Sequence, residues 1–355
     1  MKTPEDPSSA VAQRSATAAV AALPIITGLS PNQGPVTGGN TVTITGTSLT
    51  GATAVKFGTT AAAFTIVSST QINAFAPALA AGASQVTVTT SGGTSNGLTY
   101  TYVAAPTITS MSPTQGPTAG GNTVTINGTN FTGVTSVDFG GATAAFTVVS
   151  AIKITATAPT HGAGTAEVTV TTVGGTTPSA VYYFVGVPAT TSLSPDSGPT
   201  AGGTAVAIYG SGLLGATQVQ FGNANATAFT VVSDSQITAT APAGTAGSVL
   251  VKVTTPGGTS PGTYFTYLAV PVVTILAASS GPTSGGNGVT ITGNGLTFAS
   301  AVKFGTTLAP FAVFSDTKAV AIAPPGAAGT AQLTVTTPGG VSGGTTYTYV
   351  VLPTV

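Results

Sequence analysis

The acidic side chains and the single histidine are the residues of this sequence that could support acid–base chemistry. Beyond residue 22 they are Asp138, Glu167, Asp196, Asp234, Asp316 and His161. General acid–base catalysis needs two titratable groups that converge in one cleft, but these residues fall in separate predicted turns and strands. Asp234 and Asp316 stand 82 residues apart in equivalent turns, where an aspartate is a common turn-forming residue. We therefore predict that the protein is not an enzyme.

Metal ions and cofactors also lack a predicted site. The sequence contains no cysteine, which excludes thiolate metal sites and a cysteine nucleophile. It has no D-x-D-x-D run to supply the clustered oxygen ligands of a calcium site. His161 stands alone in the turn from Pro159 to Gly164, where we expect a solvated side chain. The Gly-Gly pairs lack the lysine and hydroxyl residues of a phosphate-binding loop. We expect neither a metal ion nor a cofactor.

Tyrosine pairs that recur along the chain are the remaining residues with a candidate binding role. They are Tyr100, Tyr102, Tyr182, Tyr183, Tyr264, Tyr267, Tyr347 and Tyr349. A tyrosine exposed on a strand can stack on a sugar ring or contact a protein partner. The spacing also fits rings that point into a core. We favour this second interpretation and keep the eight residues as candidate partner contacts.

Charge is scarce throughout the chain. The 355 residues include seven basic and seven acidic ones, so 4% of the residues are charged. An ordinary soluble domain has about 25% charged residues. Seven scattered cations cannot neutralise a phosphate backbone, so nucleic-acid binding is excluded. Mean hydropathy is +0.45, but no apolar run approaches the ~18–20 residues of a membrane span. The stretch from Ala16 to Gly28 is interrupted by Thr17 and Pro24, and we interpret it as a flexible arm rather than a signal peptide.

Four landmarks recur every 82 or 83 residues. A Gly-Pro pair begins at residues 34, 116, 198 and 281, and a Phe-Gly pair begins at 57, 139, 221 and 304. A Val/Thr-rich run and a Gly-Gly pair keep the same period, which indicates tandem modules. We predict a flexible arm over residues 1–22, modules over 23–104, 105–186, 187–269 and 270–352, and a tail or the start of a truncated fifth module over 353–355.

Within a module, apolar and polar residues alternate. Val42 and Ile44 alternate with threonines, as do Val86 and Val88. This period of two, with glycine and proline turns about every ten residues, is typical of half-buried antiparallel strands. We predict an all-β protein whose four immunoglobulin-like β-sandwich modules have about seven strands each. Only residues 103–105 separate Tyr102 from Pro106, so we expect a stiff, elongated rod on the order of 150 Å long.

The modules resemble the IPT/TIG domain. The match is carried by P-x-I-x-x-x-S-P-x-x-G-P-x-x-G-G-N at Pro24–Asn40 and Pro106–Asn122, the T-V-T-I-x-G that follows, the central V-x-F-G, and V-T-V-T-T-x-G-G. It covers about residues 24 to 352. Two departures stand out: Ala277 and Ala278 occupy the Ser-Pro position of the fourth copy, which puts its opening turn in doubt, and Thr204 replaces an asparagine in the third.

The resemblance implies an immunoglobulin-like fold and leaves the function broad. The family occurs in receptor ectodomains, transcription factors, bacterial surface proteins and phage appendages, and the Thr- and Gly-rich tandem arrangement is similar to the bacterial and phage arrays. We predict a non-enzymatic structural or adhesive protein, a spacer or assembly rod at a cell surface or outside the cell. Its partner would be a surface protein or glycan, with self-association through module edges. A carbohydrate-binding array and a virion appendage are the alternatives.

Overall fold

The computed structural model describes residues 21–351, and all the regular elements in that range are strands. The predicted arm and tail therefore lie almost wholly outside the described residues. The chain divides into two compact units within the second module. One unit comprises the chain up to residue 113 together with residues 123–159 and 167–182. The other comprises residues 114–122, residues 160–166 and the chain from residue 183 onward.

Ten strands recur in the same order in every module. The first module contains β1 (Ile25–Ser30), β2 (Gln33–Pro35), β3 (Thr41–Thr47), β4 (Ala54–Phe57), β5 (Thr60–Ala62), β6 (Phe64–Ser68), β7 (Gln71–Phe75), β8 (Gly82–Thr90), β9 (Gly93–Thr94) and β10 (Leu98–Val103). The second contains β11 (Thr107–Ser112), β12 (Gln115–Pro117), β13 (Thr123–Thr129), β14 (Val134–Phe139), β15 (Ala142–Thr143), β16 (Ala145–Ser150), β17 (Lys153–Thr157), β18 (Gly164–Thr172), β19 (Gly175–Thr176) and β20 (Ala180–Val185).

The remaining two modules repeat this plan. The third contains β21 (Ala189–Ser194), β22 (Ser197–Pro199), β23 (Ala205–Ser211), β24 (Gln218–Phe221), β25 (Ala224–Asn225), β26 (Ala228–Ser233), β27 (Gln236–Thr240), β28 (Gly247–Thr255), β29 (Gly258–Thr259) and β30 (Thr263–Leu268). The fourth contains β31 (Val272–Ala277), β32 (Ser280–Pro282), β33 (Gly288–Asn294), β34 (Ala301–Phe304), β35 (Thr307–Ala309), β36 (Phe311–Ser315), β37 (Lys318–Ile322), β38 (Gly329–Thr337), β39 (Gly340–Val341) and β40 (Thr345–Val350).

Two sheets form each module. In the first module, the four-stranded sheet has the order β1-β3-β7-β6, and the six-stranded sheet has the order β2-β10-β8-β4-β5 with β9 added beside β8. All pairs are antiparallel except β2 with β10. This confirms the predicted all-β sandwich in four copies. The count of about seven strands was too low because strands such as β2, β5 and β9 have only two or three residues, too few to leave a periodic signal.

Alternation along the strands builds the core. In the first module Val42, Ile44, Val86 and Val88 are fully buried, whereas their threonine neighbours point outward or lie at intermediate depth. The register follows from this pattern, because a one-residue slip would move every apolar side chain to the opposite face. Phe57 is likewise fully buried, and Lys56 before it is exposed.

The opening turn differs in the fourth module, as the sequence suggested. Ser30-Pro31, Ser112-Pro113 and Ser194-Pro195 are joined by cis peptide bonds. At the equivalent place in the fourth module Ala278 adopts a φ of 64° instead. The strand order of that module is unchanged, so the substitution alters the turn and leaves the fold intact.

Candidate partner-binding surfaces

Six of the eight candidate tyrosines lie in the module cores. Their side chains are at most 5% exposed; they are Tyr100, Tyr102, Tyr182, Tyr267, Tyr347 and Tyr349. The rings pack edge to face: the Phe57 and Tyr100 centroids are 5.2 Å apart at 86°, an arrangement that aromatic quadrupoles favour. These six rings are therefore core residues, and their position takes them away from a ligand at the surface.

In the first and fourth modules, the first buried tyrosine of the last strand is hydrogen-bonded to an asparagine of the opening loop. The Tyr100 hydroxyl accepts a hydrogen bond from Asn40 Nδ2 at 2.8 Å and donates to Oδ1 at 3.0 Å. The Tyr347 hydroxyl donates to Asn287 Oδ1 at 2.9 Å. In the third module Phe265 has no hydroxyl, and Thr204 occupies the asparagine position. The sequence departure at Thr204 is thus explained, since an asparagine there would lose its partner.

The second buried tyrosine of the last strand has a hydrogen-bond partner in the third and fourth modules but none in the first among the described residues. The hydroxyls of Tyr267 and Tyr349 donate to the Pro242 and Pro324 carbonyl oxygens, each at 2.8 Å. The Tyr102 hydroxyl is buried and has no hydrogen-bond partner among the described residues. Burial raises the pKa of Tyr102 to about 12, and the nearby Tyr100 acts in the same direction. These groups are neutral core hydroxyls.

His161 lies in the loop between β17 and β18 of the second module, where the sequence predicted a turn. Its ring, however, is not simply solvated. The ring stacks on Phe184 with centroids 4.7 Å apart and planes 21° apart. Its backbone N–H donates to the Thr118 carbonyl oxygen at 3.0 Å, and Nδ1 lies 2.8 Å from the Gly162 carbonyl oxygen. The histidine therefore closes the loop over Phe184, a contact that sequence spacing could not reveal.

Asp234 and Asp316 accept hydrogen bonds in equivalent turns, whereas Asp138 and Glu167 lie within strands β14 and β18. Asp316 accepts hydrogen bonds from Thr297 Oγ1 at 2.8 Å and from the Gly295 N–H at 3.1 Å, and these bonds hold its pKa below the usual value of 3.8. Asp234 accepts from the Gly212 N–H at 3.2 Å. Within residues 21–351 no group of three or more potential metal-ligating side chains comes together. In the same range, no helix is long and apolar enough to cross a membrane.

Tyr264 and Tyr183 are the two candidates that remain at the surface, 66% and 50% exposed. Tyr264 projects from β30 beside Leu250, its partner across the sheet, and the neighbouring strand pair places Gln220 opposite Lys252. We call this surface the Tyr264 face; it comprises Gln218, Gln220, Asn225, Leu250, Lys252 and Tyr264. On it, the Nε2 atoms of Gln218 and Gln220 both donate to Asn225 Oδ1, at 2.9 and 3.2 Å.

The Tyr264 face combines the elements of a recognition surface. An exposed ring offers a stacking platform, and the amide cluster holds donors and acceptors in fixed positions beside it. These features are of the kind that suit a polar ligand with a flat apolar side. In the second module, Tyr183 is the exposed ring of the equivalent strand β20.

Comparison with known proteins identifies the repeat. The model of the IPT/TIG domain matches residues 24–102, 106–185, 188–267 and 271–349. Among solved structures, the full extracellular region of plexin A4 is 20% identical over 90% of this chain and 30% of its own, with a TM-score of 0.35. A second plexin A4 structure matches over 48% of its own length, so the chain spans less than half of either plexin chain.

Two bacterial proteins match over more of their own length. Invasin, a bacterial integrin-binding protein, is 15% identical over 92% of this chain and 78% of its own, with a TM-score of 0.28. The glycan-binding protein SGBP-B from the mixed-linkage glucan utilization locus of Bacteroides ovatus, in complex with a heptasaccharide, is 16% identical over 70% of this chain and 66% of its own, with a TM-score of 0.23.

Proposed function

Because the chain belongs to the IPT/TIG domain family, we propose that it is a non-enzymatic structural and adhesive protein. It acts as a stiff spacer that presents immunoglobulin-like modules at a cell or particle surface, with a surface protein or glycan as its partner. We place its module boundaries after residues 104, 186 and 269, as the sequence predicts. The extracellular side of a cell surface is the proposed location.

The observation that carries the spacer role is the contact between each linker and the Gly-Gly turn of the module that follows it. A Cβ on Gly174 would clash with the carbonyl of Ala104 in the linker. Gly257 has the same relation to the Gly186 carbonyl, and Gly339 to the Ala269 carbonyl. A linker of three or four residues whose backbone rests against the next module has little freedom to bend.

The test of the spacer role is small-angle scattering on the full chain. We expect a narrow distribution of lengths with a maximum dimension on the order of 150 Å. Gly174→Ala forces the linker off the turn and should broaden the distribution. Gly162→Ala is the matched control from the same module, because a Cβ there meets no atom within 4 Å. A wild-type chain that is compact, or as variable as the Gly174→Ala variant, would refute the spacer role.

A carbohydrate partner is the second candidate function, and the Tyr264 face is what favours it. A sugar ring can stack on the exposed phenol while its hydroxyls bond to the amides of Gln218, Gln220 and Asn225. We expect the wild-type chain to bind members of a glycan array. Tyr264→Ala should lose this binding, and Tyr264→Phe should retain most of it because the ring remains. An array without signal, or equal signal from all three proteins, would leave a protein partner as the ligand.

A further inference from the structure

One side chain of the Tyr264 face carries a formal charge. The face is built from β24, β25, β28 and β30, and Lys252 is the single charged residue in these four strands. Its ammonium group has no ion-pair or hydrogen-bond partner among the described residues. The two acidic residues of the module, Asp196 and Asp234, lie outside these strands. The face therefore presents one uncompensated positive charge.

Lys252 is a neighbour of the exposed ring. Tyr264 pairs with Leu250 across the sheet, and Lys252 is two residues further along β28. Such a diagonal pair has Cα atoms about 7–8 Å apart, within reach of long and aromatic side chains. A Cβ on Gly262 would lie 3.1 Å from Lys252 Cγ. The lysine stem therefore lies over Gly262, on the side of the sheet from which Tyr264 projects.

The other modules lack this combination of a cation and a ring. By strand register, Lys252 takes the position that a threonine holds in each of them, namely Thr87, Thr169 and Thr334. Tyr264 likewise takes the position of Thr99 in the first module and Thr346 in the fourth. In those two modules the lysine of this sheet is on the strand equivalent to β24, one strand further from the last strand; the residues are Lys56 and Lys303.

The position of the cation beside the ring indicates the kind of sugar that fits. A pyranose ring stacked on Tyr264 brings its rim within reach of Lys252. A neutral sugar would cover the ammonium group without supplying an opposite charge, and desolvation of an unpaired cation is unfavourable. The carboxylate of a uronic acid projects from the rim of the ring and accepts a charge-assisted hydrogen bond from the ammonium group. Gln220, which lies opposite Lys252, offers its amide to the hydroxyls of the same or the next sugar.

We propose that the Tyr264 face binds a glycan that contains uronic acid residues, with a sugar ring stacked on Tyr264 and its carboxylate bound to Lys252. The inference rests on the carbohydrate-binding role proposed above for this face and adds the chemical class of the sugar. One lysine matches one carboxylate. A polyanion with several phosphate or sulfate groups would need several cations, and the face has one.

Calorimetric titration of the full chain tests the proposal with two probes that share their sugar rings and differ in charge. They are tetragalacturonic acid and the same tetrasaccharide with its carboxyl groups converted to methyl esters. We expect the wild-type chain to bind the acid about fivefold more tightly than the ester at low ionic strength, which is the effect of one exposed charge pair. Lys252→Thr carries the residue that the other three modules accommodate, and it should bind the two probes equally. Lys303→Thr, the matched control in the fourth module, should keep the wild-type preference.

The results separate this inference from the carbohydrate-binding role on which it rests. Tyr264→Ala should lose both probes, because the ring carries the stacking. Equal binding of acid and ester by the wild-type chain, lost in Tyr264→Ala, would overturn the uronic acid class and leave the carbohydrate role in place. A preference that survives in Lys252→Thr, equally tight binding of a tetraglutamate peptide, or no binding of either probe would also overturn it. Failure of the carbohydrate role itself would appear as a glycan array without signal.

Discussion

A Cβ on Gly244 would lie 2.6 Å from Cε2 of the Tyr267 ring. The absence of a side chain at this position therefore lets the ring lie under the loop, where its hydroxyl reaches the Pro242 carbonyl. Gly326 has the same relation to Tyr349. The first module has Leu79 at the equivalent position, identified by the N–H that donates to Val36 as Gly244 donates to Thr200. There the Tyr102 hydroxyl is left without a partner among the described residues.

This difference predicts that replacing the tyrosine by phenylalanine has opposite effects on stability in the third and first modules. Tyr267→Phe should destabilise the third module by about 1 kcal/mol, because the Pro242 carbonyl loses its buried donor. Tyr102→Phe should be neutral or stabilise the first module by up to about 1 kcal/mol, because it removes an unsatisfied buried hydroxyl. Hydrogen exchange of β30 and β10 in the full chain measures the two modules separately. Equal losses at both sites would contradict the geometry.

The pairing of Asn40 with Tyr100 predicts a strong coupling. Asn40→Thr leaves the hydroxyl of the buried Tyr100 without its partner, and Tyr100→Phe leaves the amide of the half-buried Asn40 without its partner. Each substitution alone should therefore destabilise the first module by about 1–2 kcal/mol. The double variant reproduces the Thr204 and Phe265 combination of the third module and should recover at least half of the summed loss. The free energy of local opening of β10, measured by exchange, gives the coupling through a double-mutant cycle. Additive losses would show that the two residues act independently.

Asp316 predicts a pH-dependent turn. Its pKa is lowered chiefly by the hydrogen bond from Thr297, with a further contribution from the Gly295 N–H. A carboxyl whose pKa is lower in the folded state stabilises that state above its unfolded value of 3.8. This contribution falls as the pH drops through the folded value. Exchange protection of residues 295–297 should therefore exceed that of Asp316→Asn at pH 6. The difference should vanish by about pH 2, and a difference that persists there would exclude this role.

The strand alternation and the 82-residue period were sufficient to predict the fold, because both follow from side chains that must face a core. They also predicted that tyrosines such as Tyr100 and Tyr347 would fit the core side. They could not separate these from Tyr264, because which face a ring occupies depends on a single step in register. The contact of His161 with Phe184 depends on which segments become neighbours in space, and only the structure supplies that information.

The opening turn of the fourth module predicts a stabilising change. Ala278 has a φ of 64°, a conformation that costs a residue with a Cβ roughly 1–2 kcal/mol. Glycine adopts it freely but loses about 0.5–1 kcal/mol more conformational entropy on folding. Ala278→Gly should therefore stabilise the module by about 0.5–1 kcal/mol. Ala277→Gly is the matched control: its residue belongs to β31, so only the entropy term applies and it should destabilise by a similar amount. Exchange of β31 amides measures both, and a loss in both variants would mean that the turn is unstrained.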